Sequence, residues 1–194
     1  MNENLRGHYG KLLGLGKPWE VTSVDLSVEA QRVEISVSHR SGGRVRCPDC
    51  DGVCGIHDEA PERRWRHLDT MLFETIIKAR IPRANCPDCG VKTIAVPWAG
   101  KHSRFTLLFE AFAIEVMRSS ASIASACRLL KLDWSAADWI MGRAVGRGLA
   151  RRGNGPVAKL GIDEKSFRSG HRYVSTLNDL AAGRVIEVTE GRDE

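Results

Sequence analysis

Cys47-Pro48-Asp49-Cys50 and Cys86-Pro87-Asp88-Cys89 repeat one motif, with thirty-five residues between them, in a chain of 194 residues that has only six cysteines. A Cys-x-x-Cys turn aims two thiols at one point, and two such turns supply the four sulfurs of a tetrahedral zinc site. Zinc accepts four thiolates without redox chemistry, and four of them leave no position open for a substrate. The chemistry is therefore a staple for a weak core. Two disulfides are the competing use. The chain opens on Met1-Asn2-Glu3-Asn4, with no leader-like pattern and no apolar stretch long enough to span a membrane. A reducing cytoplasm is thus the expected setting, and paired motifs there read as metal sites. A redox dithiol fits two copies at this separation poorly. Cys54, with His57 and His67 behind it, competes for a ligand position, whereas Cys127, four residues after Ile123 on an apolar stripe, reads as a small core residue.

Charge is distributed unevenly around these motifs. The formal net charge is +5, yet residues 1–60 hold seven Lys and Arg against nine Asp and Glu. Residues 61–104 hold nine against four, and residues 118–152 seven against two. The excess sits over the zinc module and the stretch after it. Clustered cations attract phosphates by releasing counterions, which points toward nucleic acid, although a basic run is also what any solvated face looks like. A single-strand or RNA-binding ribbon would want aromatic platforms for stacking, and the basic stretches offer few beyond Trp65 and Phe73.

Four segments must position these residues. Period-two alternation over 21–28 and 33–37, on either side of Glu29-Ala30-Gln31, predicts a β-hairpin with one buried face. A strand over 73–81 feeds the second knuckle, as in a zinc ribbon. From about His102 the pattern turns helical: Phe105, Leu108, Phe109, Phe112, Ala113, Val116 and Met117 form one stripe behind a cap at Ser103. Ser122 caps a second helix with Ile123, Ala126, Cys127 and Leu130 inward. After the break at 131–134, Ser135 caps a third helix through Trp139, Ile140, Arg143 and Arg147. Two helices across a tight turn make a helix-turn-helix, or else a plain three-helix core with a basic face. Residues 151–156 break the helix as a linker. Strands over 157–164, 171–177 and 184–188 follow, with a turn from Asp179 to Gly183. Asp163 then stands at the end of a buried strand, where ribonuclease-H-like nucleases present their first carboxylate for Mg²⁺, though a strand-end Asp also simply caps turns.

Taken in order, these parts resemble the ISL-three family of bacterial insertion-sequence transposases. Gly161-Ile162-Asp163-Glu164 with Gly170-His171-Arg172-Tyr173 is the most specific match; the knuckles and the Arg66-His67-Leu68-Asp69 stretch support it. The resemblance implies an α+β multi-domain chain: a hairpin and zinc-ribbon domain over 1–101, a three-helix helix-turn-helix domain and linker over 102–156, and the front of a ribonuclease-H-like DDE domain over 157–194. It implies structural zinc on Cys47, Cys50, Cys86 and Cys89, and Asp163 as the first catalytic aspartate. It implies duplex DNA, the element's terminal inverted repeats, as partner, with a homodimer and a nucleoid-associated location as further expectations. The residues expected on DNA are Arg64, Arg66, Arg83, Ser135, Arg143, Arg147, Arg151 and Arg152. The family's second Asp and final Glu lie beyond Glu194, and the hairpin acids Asp179, Glu187 and Glu190 do not match them, so these residues are expected to bind DNA without cutting it. A stand-alone repressor or remnant of the element is the alternative.

Overall fold

In a computed structural model of the chain, residues 2–40, 42–153, 155–168 and 172–191 are described. They form a mixed α+β structure of four helices and three sheets in two compact units, 1–146 and 147–194. None of the described helices is long and apolar enough to cross a membrane.

The first unit opens on a helix that the sequence pattern did not announce, α1 (Asn2–Leu12), which lies against the first strand and buries Tyr9. The expected hairpin follows as β1 (Trp19–Ser27) and β2 (Arg32–His39), paired antiparallel, with Gln31 taking the left-handed backbone at the turn. Strands β3 (Arg44–Arg46) and β4 (Val53–Glu59) flank the first knuckle. Next come β5 (Arg63–Thr70), β6 (Phe73–Ala79), β7 (Pro82–Cys86) and β8 (Gly90–Thr93). The strand expected over 73–81 is β6, which ends two residues early at Ala79 and joins the hairpin in the order β1-β2-β6-β5; the next strand, β7, belongs to the ribbon in the order β3-β4-β7-β8. Pro82 is the physical reason, because it biases Ile81 and ends the ladder of β6 as the chain changes sheets. The hairpin sheet is packed by Trp19, Ile35, Trp65, Ile77 and Trp98. Trp98 meets both other indoles edge to face, at 4.8 Å and 79° and at 5.5 Å and 85°. Nε1 of Trp65 and of Trp98 is buried without a conventional acceptor, and edge-to-face packing of this kind lets an N–H find a ring face.

Three helices complete the unit. Helix α2 (Leu107–Ser119) begins one turn after Ser103, and its cap is Thr106, whose hydroxyl accepts from the Phe109 N–H. Ser103 is instead fully buried and donates to Glu110 Oε1 at 2.8 Å. The inner stripe is narrower than the pattern suggested: Phe109, Ala113 and Met117 are buried, but Leu108 and Phe112 are about half exposed. Helix α3 (Ile123–Leu130) is capped by Ser122 as expected and closed by Lys131 in the left-handed region. Helix α4 (Trp134–Arg151) starts one residue earlier than its expected cap. Asp133, not Ser135, does the capping, accepting from the Ala136 N–H at 2.7 Å. An aspartate is the better cap here, since its charge also meets the positive end of the helix.

Edge strand β5 is closed by the segment entering α2. The Arg66 N–H donates to the Arg104 carbonyl at 2.9 Å, and the Thr106 N–H donates to the Arg66 carbonyl at 3.0 Å. His67 Nδ1 lies 2.9 Å from the Thr106 hydroxyl. The sheet edge, normally a free pairing surface, is used to fix the helices to the ribbon-bearing half.

The second unit holds the end of α4 and the strands β9 (Leu160–Arg168), β10 (Arg172–Asp179) and β11 (Arg184–Glu190), antiparallel with β10 central. The turn from Asp179 to Gly183 forms as read: Asp179 accepts from the Ala182 N–H and Arg184 Nε, and Gly183 takes a positive φ of 62°. Strand β9 starts three residues later than expected and runs on to Arg168, which places Asp163 in its interior, opposite Thr176, and exposed. Gly170 and His171 lie outside the described residues.

This packing bears on stability in two testable ways. The β5–β6 turn is Met71-Leu72, with φ of 56° and 88° and both side chains 85 % exposed. A turn with two left-handed residues favours Asn-Gly, and bulky residues there cost about 1–2 kcal/mol each. Replacing the pair by Asn-Gly therefore stabilises the chain by about 1–2 kcal/mol in denaturant unfolding; lower stability would show that the side chains pack. Burial, followed by the Arg66 charge, lowers the pKa of His67 to about 4. An unfolded histidine takes up its proton near pH 6.5, so the folded state is fully favoured above that pH and loses up to about 3 kcal/mol as pH falls toward 4. His67→Gln should flatten that part of the stability profile relative to the parent; parallel profiles would contradict it.

Candidate functional site

The ribbon brings Cys47, Cys50, Cys86 and Cys89 together, with all four sulfurs within 4.8 Å of one another. Cys47 ends the turn from β3, where its N–H donates to the Gly52 carbonyl, and Cys86 ends β7. Zn–S bonds of about 2.3 Å in a tetrahedron put sulfurs about 3.8 Å apart, and Cys50 and Cys86 stand at 3.6 Å. The donor set fits one metal ion electrostatically as well. Backbone N–H groups of Cys89 and Asp88 pull Cys86 down to about 6, while hydrogen bonding with Cys50 and burial push Cys89 up to about 12. Four thiolates this close need a dication to coexist.

Of the rivals for a ligand position, Cys54 lies beside the cluster, packed with Cys47 and Cys86 but outside the four sulfurs that all lie within 4.8 Å of one another, and the histidines stand elsewhere. Cys54 is buried on β4 and donates to the Gly52 carbonyl at 3.3 Å. His57 faces Asp58 at 3.3 Å, and His67 belongs to the junction with α2. Cys127 packs in the helical core with Ala126, Leu130 and Ile140.

Most of the basic residues expected on DNA are engaged by local partners. Arg66 is 8 % exposed; its guanidinium pairs with Asp69 and with Glu74 at 3.3 Å, and it lies over the Phe109 ring. Arg64 pairs with Glu34, and Arg83 with Asp58. Arg143 stacks on Trp139 and reaches the fully buried Glu110 at 3.2 Å. Sequence reasoning passed over Glu110, although an acid three residues before Ala113 on the inner face was a visible signal for a buried partner. Arg147 and Arg151 share one face of α4 by their spacing of four, and Arg152 donates to the Ile186 carbonyl at 2.5 Å. Ser135 is exposed in the first turn of α4.

Three family models match the chain in the order of its modules: "zinc-finger of transposase IS204/IS1001/IS1096/IS1165" over 43–94, "Helix-turn-helix domain of transposase family ISL3" over 94–143, and "Transposase", of the ISL3 DDE type, over 160–194. The chain belongs to the ISL3 transposase family. It is 29 % identical over 191 residues to the transposase for insertion sequence element IS1557 from each of two Mycobacterium tuberculosis strains, CDC 1551 / Oshkosh and ATCC 25618 / H37Rv. That match takes in 94 % of this chain but 42 % of those relatives. No solved structure matches it. The zinc-finger match covers all four clustered cysteines, and the helix-turn-helix match covers α2, α3 and the first half of α4.

Elemental analysis of the purified chain should therefore give one zinc per molecule. Structural zinc contributes about 10–16 kcal/mol in small modules, so a chelator or Cys86→Ser should unfold the ribbon, whereas Cys54→Ser should keep the metal. Zinc lost equally from the Cys54 variant would give that thiol a ligand's place.

Proposed function

We propose that this chain carries the DNA-recognition part of an insertion-sequence transposase and binds the terminal inverted repeats of its element as duplex DNA. The observation that carries the reading is the union of a four-cysteine ribbon and a helix-turn-helix in one hydrogen-bonded unit, joined along β5. We take residues 1–101 as the hairpin and ribbon domain, 102–156 as the helix-turn-helix domain and linker, and 157–194 as the start of a ribonuclease-H-like catalytic domain. Asp163 is its first carboxylate, for Mg²⁺ in the whole enzyme. A two-metal strand transfer needs several converging acids. Among the described residues the cysteines form the only cluster of three or more potential ligands.

In this reading Ser135 stands at the start of the recognition helix, where a helix-turn-helix meets base edges, and Arg147 and Arg151 contact phosphates. Arg66 and Arg143 are spent on Glu74, Asp69 and Glu110 and act by holding the module together. The test is fluorescence anisotropy with a duplex bearing the end of the element and with an unrelated duplex, across salt concentrations. Removing one cation from a phosphate should flatten the plot of log affinity against log salt by about 0.9. Arg147→Ala with Arg151→Ala should therefore lower the slope by about 1.8 on both duplexes, and Ser135→Ala should narrow the preference between them. An unchanged slope would make this basic face merely solvated.

A further inference from the structure

A groove of about 510 Å³ separates the ribbon from the segment that leads into α2. Arg63, Lys92, Lys101 and His102 line it, and Asp49 is its one acidic residue. Asp49 faces Lys92 at 2.9 Å, a half-exposed pair of the kind that contributes little and yields readily to a stronger anion. The rim is cationic, then, on the ribbon wall and on the opposite wall alike.

The opposite wall is built with unusual care. Gly100, Lys101 and His102 make a tight turn in which the Ser103 N–H donates to the Gly100 carbonyl at 3.1 Å and His102 takes a φ of 61°. A Cβ at Gly100 would lie 2.0 Å from Arg143 Nη2, and the same guanidinium donates to the Lys101 carbonyl at 3.3 Å, so the Arg143 side chain packs directly over this turn. Arg63 donates to the Ser103 carbonyl at 3.0 Å, and the Ser103 hydroxyl is held by buried Glu110. Every one of these anchors grips backbone or Ser103. None engages the Lys101 ammonium or the His102 ring, and both residues are exposed and line the groove. The turn is thus held through its backbone while the Lys101 and His102 side chains line the groove.

We infer that this groove is a track for the phosphate backbone of duplex DNA, gripped by Lys101 and His102 on one wall and Lys92 on the other. It rests on the reading that the chain binds DNA and extends it, since these residues lie outside the recognition helix. Phosphates supply the charge complement that the rim lacks, and binding there would register the ribbon against the helix-turn-helix on one stretch of DNA. The experiment measures the affinity of the zinc-loaded chain for a labelled mixed-sequence duplex across salt concentrations. Lys92→Ala with Lys101→Ala should lower the salt slope by about 1.8, Lys101→Arg should keep it, and His102→Ala should weaken binding about threefold. All of these side chains are at the surface, so zinc content and melting should stay with the parent. A double variant with the parent's slope overturns the track and leaves the proposed function standing. A parent chain that binds no DNA overturns both.

Discussion

Four sulfurs within 4.8 Å of one another are the constraint on which the ribbon depends. The core of that sheet is Val45, Cys47, Cys54, Ala84 and Cys86, three of the five being cysteines. So small an apolar cluster cannot by itself offset the entropy of ordering four short strands. A metal ion held by the four thiolates would replace the missing hydrophobic area, and its demand for four thiolates would fix where β3 and β7 end.

What the ribbon holds is decided at the next joint. Strand β5 is at once the edge of the hairpin sheet, the floor under α2 through Arg66 and Phe109, and the partner of residues 104–106. Buried Glu110 ties Ser103 on one side to Arg143 of α4 on the other. A flexible tether would let ribbon and helices sample DNA independently. A sheet edge and a buried charge network join them in one compact unit, so in the proposed reading DNA met by one module would set where the other lands.

Much of this was legible because it rests on period and spacing. The paired Cys-x-x-Cys motifs, the alternation around Glu29-Ala30-Gln31 and the apolar spacing of α3 each have a local cause, and so each could be read locally. The strand expected up to Ile81 stops short of Pro82 for an equally local reason, since proline cannot donate to the ladder. What stayed hidden was tertiary. Helix α1, whose stability comes from packing on β1, carries no strong pattern of its own. Nothing in the sequence shows that Arg66 lies beside Glu74 or that Arg143 lies beside Glu110. Conversely, Lys92 and Lys101, nine residues apart and on different elements, face one groove only once the ribbon is folded.

Hydroxyl-radical footprinting of the zinc-loaded chain on a duplex carrying the end of its element tests the central claim most directly. A ribbon and helix-turn-helix locked as one body should protect two neighbouring stretches of backbone in fixed phase, and removing the zinc should erase the stretch covered by the ribbon. Protection of a single stretch, unchanged when the metal is removed, would contradict the account.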